Sequence, residues 1–437
     1  MTDVTISGAP LRARARATPP SWWPAGWYYG WALVGTLGIT ATVSYGILSY
    51  GFAAFVVPMG EELGWSKTAV TGAFSLAQLI AGAAAIPVGH WVDRHGARGL
   101  MTAGSILATL LLAAWAHVTS LAAFYAVWGL MGVAMAAVLY EPAFAVINTW
   151  FVTDRRRALT LLTFLGGFAS VVFVPLAMML VARDGWRHAL LTLAGVYALL
   201  TVVPHAWMLR RHPQDLGLAP DGASMNVHVS GPRVPLDAPA VRDVFSVPAF
   251  RWTALAFTLS GLTTTAISVH LVPLLLERGH SVTFAGGAMG VLGLMALPGR
   301  LVFTPLGGRW RRGAVTAAIF ALQALALFAL LFANGQLGVW LFVTLFGAGF
   351  GAITPARAAL VGDLVPASTF GRVSGVLALS ISLARAVAPV GASLLYRAAG
   401  GRAHGYAAVL TGLLALCVAS ALAVLRVKDA AGTTESL

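Results

Sequence analysis

The sequence is poor in charged residues and in cysteine. Only 10% of its 437 residues are charged, 58% are apolar, and the mean hydropathy is +0.81. Soluble domains contain about 25% charged residues, so this composition excludes an ordinary soluble protein. The single cysteine, Cys417, excludes an internal disulfide and a cysteine-based metal site.

The sequence motifs of ATP-driven pumps and common hydrolases are also missing. Neither of the two lysines, Lys67 and Lys428, follows a glycine-rich run, which excludes the usual nucleotide-binding loop. No HExxH, CxxC or GxSxG motif is present. We therefore expect no enzyme, no cofactor and no metal.

Long apolar segments are what the sequence has instead, and they predict an all-α polytopic membrane protein with twelve transmembrane helices of about 20 residues or more. The segments lie at about 30–58, 67–91, 99–119, 121–150, 158–182, 189–208, 250–276, 282–306, 314–333, 337–366, 371–396 and 404–426. They form two six-helix halves, 27–208 and 250–426. A linker rich in Pro, Asp and Gly at 209–249 joins the halves, and tails occupy 1–26 and 427–437.

Arginine and lysine are distributed unequally between the two sides of the predicted bundle. Nineteen lie outside the helices on one side and six on the other. This bias predicts that both termini and the linker are cytoplasmic. The excess of arginine over lysine is typical of a GC-rich bacterial genome, so we expect a bacterial inner membrane. The N-terminal 26 residues lack the apolar region of a cleaved signal peptide.

The net charge of +13 is scattered over these loops and forms no compact basic domain. Nucleic acid is therefore excluded as a partner, whereas the lipid bilayer is expected to be one.

The two halves have related sequences. GWSKT at 64–68 and GHSVT at 279–283 open the second helix of each half, and Pro175 and Pro389 each precede an arginine by eight residues. Repeated halves can rock about a site between them and expose it to each side in turn.

The segment GHWVDRHGAR at 89–98 lies between the second and third predicted helices. It resembles the signature loop of the major facilitator superfamily, Gly-x-x-x-Asp-Arg-x-Gly-x-Arg. The matching residues are Gly89, Asp93, Arg94, Gly96 and Arg98. The resemblance implies a major facilitator fold, in which this loop latches the cytoplasmic side in one of two access states. The second copy, at 307–315, has Arg311 where an aspartate is expected, so we do not predict a latch there.

Three other stretches are similar to one branch of that superfamily, the monocarboxylate porters and the oxalate–formate antiporter. They are GWYYGW at 26–31, RRHPQDLGLAPDG at 210–222 and HLVPLLLERGHS at 270–281. In that branch an arginine of the eighth helix binds the substrate carboxylate, and the antiporter adds a second cation in the eleventh helix. The resemblance implies these roles for Arg300 and Arg385, and it implies a small organic anion as substrate.

Both arginines lie within apolar helices, where a charge costs about 2.5–3.5 kcal/mol on insertion scales. A guanidinium stays charged and binds a carboxylate through two hydrogen bonds. The alternative for Arg300 is a side chain that reaches the membrane surface, and the alternative for Arg385 is an ion pair with Glu141. Arg357 is expected to reach the inner surface or to pair there.

Three further residues are candidates for the site. Glu141 is the only acid well inside a predicted helix, and it is either a proton carrier or a fixed counter-ion. Tyr140 either donates a hydrogen bond to the anion or packs between helices. His270 either moves protons or is an ordinary histidine near a helix end.

The sequence therefore predicts a monomeric secondary carrier of mono- or dicarboxylates, driven by protons or by exchange. A drug or amphipathic-cation exporter would carry acids rather than arginines within its helices. A non-transporting sensor would be expected to have a further signalling domain or a longer tail. The sequence leaves open the substrate's charge and side chain, the direction of transport and the role of Glu141.

Overall fold

The structure is a computed structural model that describes residues 27–222, 247–306, 310–332, 335–365, 369–401 and 404–427. Within these ranges the chain forms helices and turns and no β-strand. The predicted tail at 1–26, residues 223–246 of the predicted linker, residues 307–309 and residues 428–437 lie outside the described residues.

Twelve helices of the described chain cross the bundle. Eleven described stretches are long and apolar enough to span a membrane, and one of them, Arg155–Met208, has 54 residues. At about 1.5 Å per residue it would be about 80 Å long, far more than a hydrocarbon core of about 30 Å. Gly185, with φ 76° and ψ 161°, breaks this stretch into two crossings. The predicted twelve-helix, all-α membrane architecture is confirmed.

We number these helices α1 to α12 in chain order. They comprise Tyr29–Leu63, Lys67–His95, Ala97–Ala116, Leu121–Trp150, 155–184, 186–208, Pro248–Glu277, Val282–Leu306, Arg312–Phe332, Gln336–Leu364, Phe370–Ala398 and Gly405–Leu425.

Two helices of the first half depart from regular α geometry. In α1, residues Gly46–Tyr50 form a π turn. In α4 the backbone is extended at Leu139, with φ −82° and ψ −158°, and helix resumes at Tyr140. Pro142 explains this break, because its ring has no N–H to donate to the carbonyl of Val138 and clashes with it.

The apolar core shows how the two halves meet. We call the face of the bundle that carries residues 89–98 the motif face, and the other the opposite face. Toward the motif face, one cluster joins buried side chains of both halves, among them Phe144, Trp150, Phe257 and Phe370. Toward the opposite face, each half has a cluster of its own. The halves are therefore joined at the motif face and separate toward the opposite face.

Glycines let α2 and α11 approach backbone to backbone across this junction. A Cβ added to Gly89 would lie 2.0 Å from the carbonyl oxygen of Gly371, and one added to Gly375 would lie 2.3 Å from that of Ala85. Real Cβ atoms do not come this close to a carbonyl oxygen, so only glycine permits the contact at these positions.

Candidate functional site

The segment 89–98 links the two halves at the motif face. The Asp93 carboxylate accepts hydrogen bonds from the backbone N–H groups of Gly371 and Arg372, both at 2.9 Å. It thereby caps the N-terminus of α11, where the orphan N–H groups and the helix dipole favour an anion. The Arg372 guanidinium in turn donates to Nδ1 of His90 at 2.7 Å.

The other residues of the signature loop support the turn itself. Gly96 has a φ of 80°, a conformation that favours glycine, at the junction between α2 and α3. Arg98 donates from Nε to the carbonyl oxygen of Ala206 at 2.8 Å, and the carbonyl of Arg94 accepts a bond from Arg211. These bonds lie within the first half and to the start of the linker, so of the five motif residues Gly89 and Asp93 make the contacts to the second half.

A second polar contact closes the motif face between α5 and α10. Arg155 donates to the carbonyl oxygen of Gly362 at 2.6 Å. Its guanidinium also lies 3.9 Å from the Asp363 carboxylate, which binds Arg312 as well. Both this cluster and the Asp93 cap must break before the halves can separate at the motif face.

Arg385 faces the space between the halves. It lies in the middle of α11 and its side chain is exposed. Yet it is within electrostatic range of Glu141 and Arg357, and of Tyr45 and Tyr50 on α1. Neighbours from both halves place it in the central cavity rather than on the outer surface. Among the described residues, no hydrogen bond or ion pair engages its guanidinium.

Glu141 is paired with Arg357 rather than with Arg385. The Nη2 of Arg357 donates to Oε1 of Glu141 at 2.5 Å, and the side chains are 15% and 17% exposed. The alternative considered for Arg385, an ion pair with Glu141, is therefore not the pair that forms. Arg357 was expected to reach the inner surface or to pair there, and in the structure it pairs across the halves with Glu141 of α4. The other carboxylate oxygen, Oε2, is buried and has no hydrogen-bond partner among the described residues.

Arg300 reaches across from α8 to the first half. Its Nη1 donates to the carbonyl oxygen of Thr163 on α5 at 2.5 Å, and its Nε donates to that of Gly351 on α10 at 3.1 Å. Thr163 follows Arg155 by eight residues, which is about 12 Å along a helix. The guanidinium is therefore held inside the bundle and does not extend to the motif-face surface. It spans the junction between the halves.

Tyr140 is buried between α1, α4 and α5. Its ring packs against that of Tyr45, with centroids 4.6 Å apart, and against that of Phe144 at 5.1 Å. A Cβ added to Gly166 would lie 2.1 Å from its hydroxyl oxygen, and Arg300 is within electrostatic range. Tyr140 thus packs closely in this conformation, and its role as a hydrogen-bond donor to substrate stays a prediction.

His270 lies away from these groups, toward the opposite face. Its Nε2 is 3.1 Å from the carbonyl oxygen of Pro389 and 3.4 Å from Oγ of Ser393, both on α11. The histidine therefore joins α7 to α11 one turn beyond Arg385. Its predicted part in binding or proton movement stays a prediction.

Sequence reasoning missed the tyrosines of α1. Tyr45 and Tyr50 lie at the two ends of the π turn, and a residue spacing of five places side chains on one face of such a turn. Tyr50 is 46% exposed. The repeated tripeptide Ser-Tyr-Gly at 44–46 and 49–51 is the sequence signal that could have identified this pair.

The central cavity therefore contains a cation, an ion pair and phenolic hydroxyls. The guanidinium of Arg385 is suited to a carboxylate, and Glu141 has one carboxylate oxygen, Oε2, without a partner among the described residues. Within the described ranges, no group of three His, Cys, Asp or Glu side chains is placed to hold a metal ion.

Comparison with known sequences identifies the family. The sequence profile of the Major Facilitator Superfamily matches residues 37–389. The chain therefore belongs to this superfamily of membrane transporters, as the loop at 89–98 implied.

Relatives in the superfamily include the branch expected from the sequence. The chain is 32% identical to mouse monocarboxylate transporter 11 over 60% of its own length and 55% of the mouse protein. It is 25% identical to the fujikurins efflux protein of Gibberella fujikuroi, over 72% of this chain and 64% of that protein. It is 29% identical to the oxalate:formate antiporter of Oxalobacter formigenes, over 36% of this chain and 37% of that one. The resemblance to monocarboxylate transporters and to this antiporter is confirmed, but the chain spans less than two thirds of each of these relatives.

Solved structures with the same fold cover nearly the whole chain. A human organic anion transporter superposes with a TM-score of 0.66 at 16% identity, over 90% of this chain and 97% of that one. A bacterial homologue of the iron transporter ferroportin, in an outward-facing state, gives 0.69 at 17% identity, over 91% and 99%. At these identities the likeness concerns the fold alone.

Proposed function

We propose that the protein is a secondary active carrier of small organic anions, with Arg385 as the cation that first binds the substrate carboxylate. The observation that carries this proposal is the Arg385 guanidinium, which faces the central cavity and has no partner among the described residues. An uncompensated charge inside a membrane protein is costly. An anion that binds there relieves this cost and gains charge-assisted hydrogen bonds.

In the proposed mechanism, the Glu141–Arg357 pair couples transport to a proton. A proton that binds Oε2 of Glu141 removes the negative charge that holds Arg357. Arg357 then becomes a second cation for the substrate, on the same side of the cavity as Arg385. Loss of that proton restores the pair and expels the anion. A dicarboxylate, or a monocarboxylate that binds both guanidinium groups, satisfies this arrangement.

The proposed cycle starts from the conformation described here. The bundle is closed at the motif face, so substrate enters from the opposite face. From the arginine distribution we predict that the motif face lies on the cytoplasmic side of a bacterial inner membrane. Opening of the motif face requires the Asp93 cap and the Arg155–Gly362 bond to break. It also separates Arg300 from the Thr163 carbonyl, and the released guanidinium can then take over the carboxylate.

Ligand-induced stabilisation of the purified protein tests the proposal. A ligand that binds only the folded protein raises its melting temperature. We expect a small carboxylate to stabilise the wild type, and neutral or cationic analogues of the same size to have no effect. Arg385→Gln should lower the affinity for the carboxylate about 10–150-fold, the loss expected for a hydrogen bond to a charged group.

Arg397→Gln is the matched control, because Arg397 is an exposed arginine in the last turn of the same helix. It should bind as the wild type does. Stabilisation by cations only, or equal responses of the two variants, would overturn the assignment of Arg385. For active compounds, uptake into proteoliposomes under an imposed pH gradient then tests transport and proton coupling.

Export of amphipathic compounds is a second candidate, supported by the likeness to the fujikurins efflux protein. It predicts that larger, partly apolar compounds stabilise the protein more than short carboxylates do. It also predicts movement out of cells that contain the protein. The direction of transport, measured with labelled substrate in right-side-out and in inverted vesicles, distinguishes the two candidates.

A further inference from the structure

A crevice at the motif face lies outside the central cavity and plays no part in the proposed transport path. It is partly open to solvent and lies between α5 of the first half and α8, α9 and α10 of the second. Its walls are mainly apolar, with Leu159 from α5, Phe303 from α8, and Val315 and Ile319 from α9. A purely apolar ligand would satisfy these walls.

Two arginines at the crevice make it unsuited to an apolar ligand. Arg156 from α5 and Arg312 from α9 both line it, and they are within electrostatic range of each other. Arg312 is partly neutralised by Asp363, which it shares with Arg155. In contrast, the Arg156 guanidinium has no hydrogen bond or ion pair among the described residues. The crevice therefore carries a net positive charge, and its Arg156 guanidinium is not engaged by an anionic group of the described residues.

The geometry points to a binding site for an anionic phospholipid, with its phosphate between Arg156 and Arg312 and part of an acyl chain in the apolar crevice. A free anion in water would satisfy the arginines and leave the apolar walls without a ligand. A phospholipid supplies both parts, and arginines at the end of a membrane-crossing helix lie at the depth of the headgroups. The charge and the lining together select a lipid of this class.

The bound lipid would contact both halves of the protein. Arg156 and Leu159 belong to the first half, whereas Arg312 and Phe303 belong to the second. Separation of the halves at the motif face would pull these walls apart. The lipid therefore favours the conformation in which the motif face is closed.

Lipid titration of the delipidated, full-length protein in detergent tests this site. The melting temperature is followed against dioleoyl phosphatidylglycerol, against dioleoyl phosphatidylcholine and against inorganic phosphate. We expect saturable stabilisation by phosphatidylglycerol, with little effect of phosphatidylcholine or phosphate. Arg156→Gln should weaken phosphatidylglycerol binding about fivefold, the contribution of one arginine at an anionic surface.

The neighbouring residue supplies a matched control. Arg157 is 75% exposed and is bonded to Asp154, so Arg157→Gln should bind phosphatidylglycerol as the wild type does. Ala356→Leu keeps every charge and fills part of the crevice, so it should also weaken binding. Equal stabilisation by phosphatidylcholine would overturn the requirement for an anionic headgroup. Full stabilisation by phosphate, or unchanged binding in both Arg156→Gln and Ala356→Leu, would overturn the lipid site itself.

Discussion

The Glu141–Arg357 pair offers a quantitative test of the central site through a double-mutant cycle. The variants are Glu141→Gln, Arg357→Gln and the combination of both. Each single change leaves one charge without its partner inside the bundle, whereas the double change leaves two neutral amides. We therefore expect each single variant to lose stability and the double variant to lose less than the sum.

The size of the effect follows from the geometry of the pair. The two atoms are 2.5 Å apart and both side chains are more than four-fifths buried. With charge centres about 4 Å apart and an effective dielectric constant of about 20, the attraction is about 4 kcal/mol. Desolvation offsets part of this attraction, and residues in contact couple by about 0.5–3 kcal/mol in measured cycles. We expect a coupling free energy of about 2–3 kcal/mol and a loss of about 3 kcal/mol for each single change.

The assay is reversible unfolding in mixed micelles, with the free energy of unfolding measured for all four proteins at one pH and one ionic strength. The exposed pair Arg183–Asp184, with side chains 77% and 33% exposed, gives the control cycle. Its coupling should fall at about 0–1 kcal/mol. If the coupling of Glu141 and Arg357 is no larger than that of the surface pair, the two side chains do not form the ion pair on which the proposed proton step depends.

Three further predictions concern transport. Gly89→Ala places a methyl group 2.0 Å from a carbonyl oxygen of α11, whereas the control Gly99→Ala meets no atom within 4 Å. Gly89→Ala should therefore disfavour the closed motif face by about 1–3 kcal/mol, which is about 5–150-fold in population. Equal transport rates for the two variants would contradict this. Glu141→Gln should abolish uptake driven by a pH gradient while exchange of labelled for unlabelled substrate continues, and loss of both activities would argue against a proton role. Arg300→Gln should reduce carboxylate-induced stabilisation less than Arg385→Gln does, because two backbone carbonyls already engage Arg300 in this conformation. A larger loss for Arg300→Gln would mean that the substrate binds Arg300 before Arg385.

The helices of this protein were predictable because their signal is local. Hydropathy and length alone located all twelve crossings. They also separated the two crossings within Arg155–Met208, where only Gly185 breaks the helix. Local sequence also located the motif at 89–98, since its glycines and its aspartate have fixed spacing. Its prediction as a loop was wrong, because helix continues through His95 and begins again at Ala97, so that Gly96 alone breaks it. Interruptions within helices were harder, because the π turn of α1 leaves no break in the apolar pattern.

The partners of the buried charges were not predictable. The sequence supplied Glu141, Arg300, Arg357 and Arg385 as charges within helices, but a pairing across 216 residues depends on how the halves dock. From the sequence, an ion pair with Glu141 was the alternative to a substrate role for Arg385, and in the structure Glu141 pairs with Arg357. For Arg300, the partners are backbone carbonyls, which every residue has, so the sequence does not mark them.

The glycine contact between α2 and α11 bears on how easily the protein changes state. Gly89 meets Gly371, and Gly375 meets Ala85, through backbone atoms that are already ordered within their helices. Long side chains at such a junction would lose rotamer freedom each time it formed, at up to about 2 kcal/mol per residue. Glycine has no side-chain entropy to lose, so the two surfaces can part and rejoin repeatedly with little change in conformational entropy. A transporter must open and close this contact in every cycle. A contact that packs closely but loses little side-chain entropy can do so with a small change in free energy.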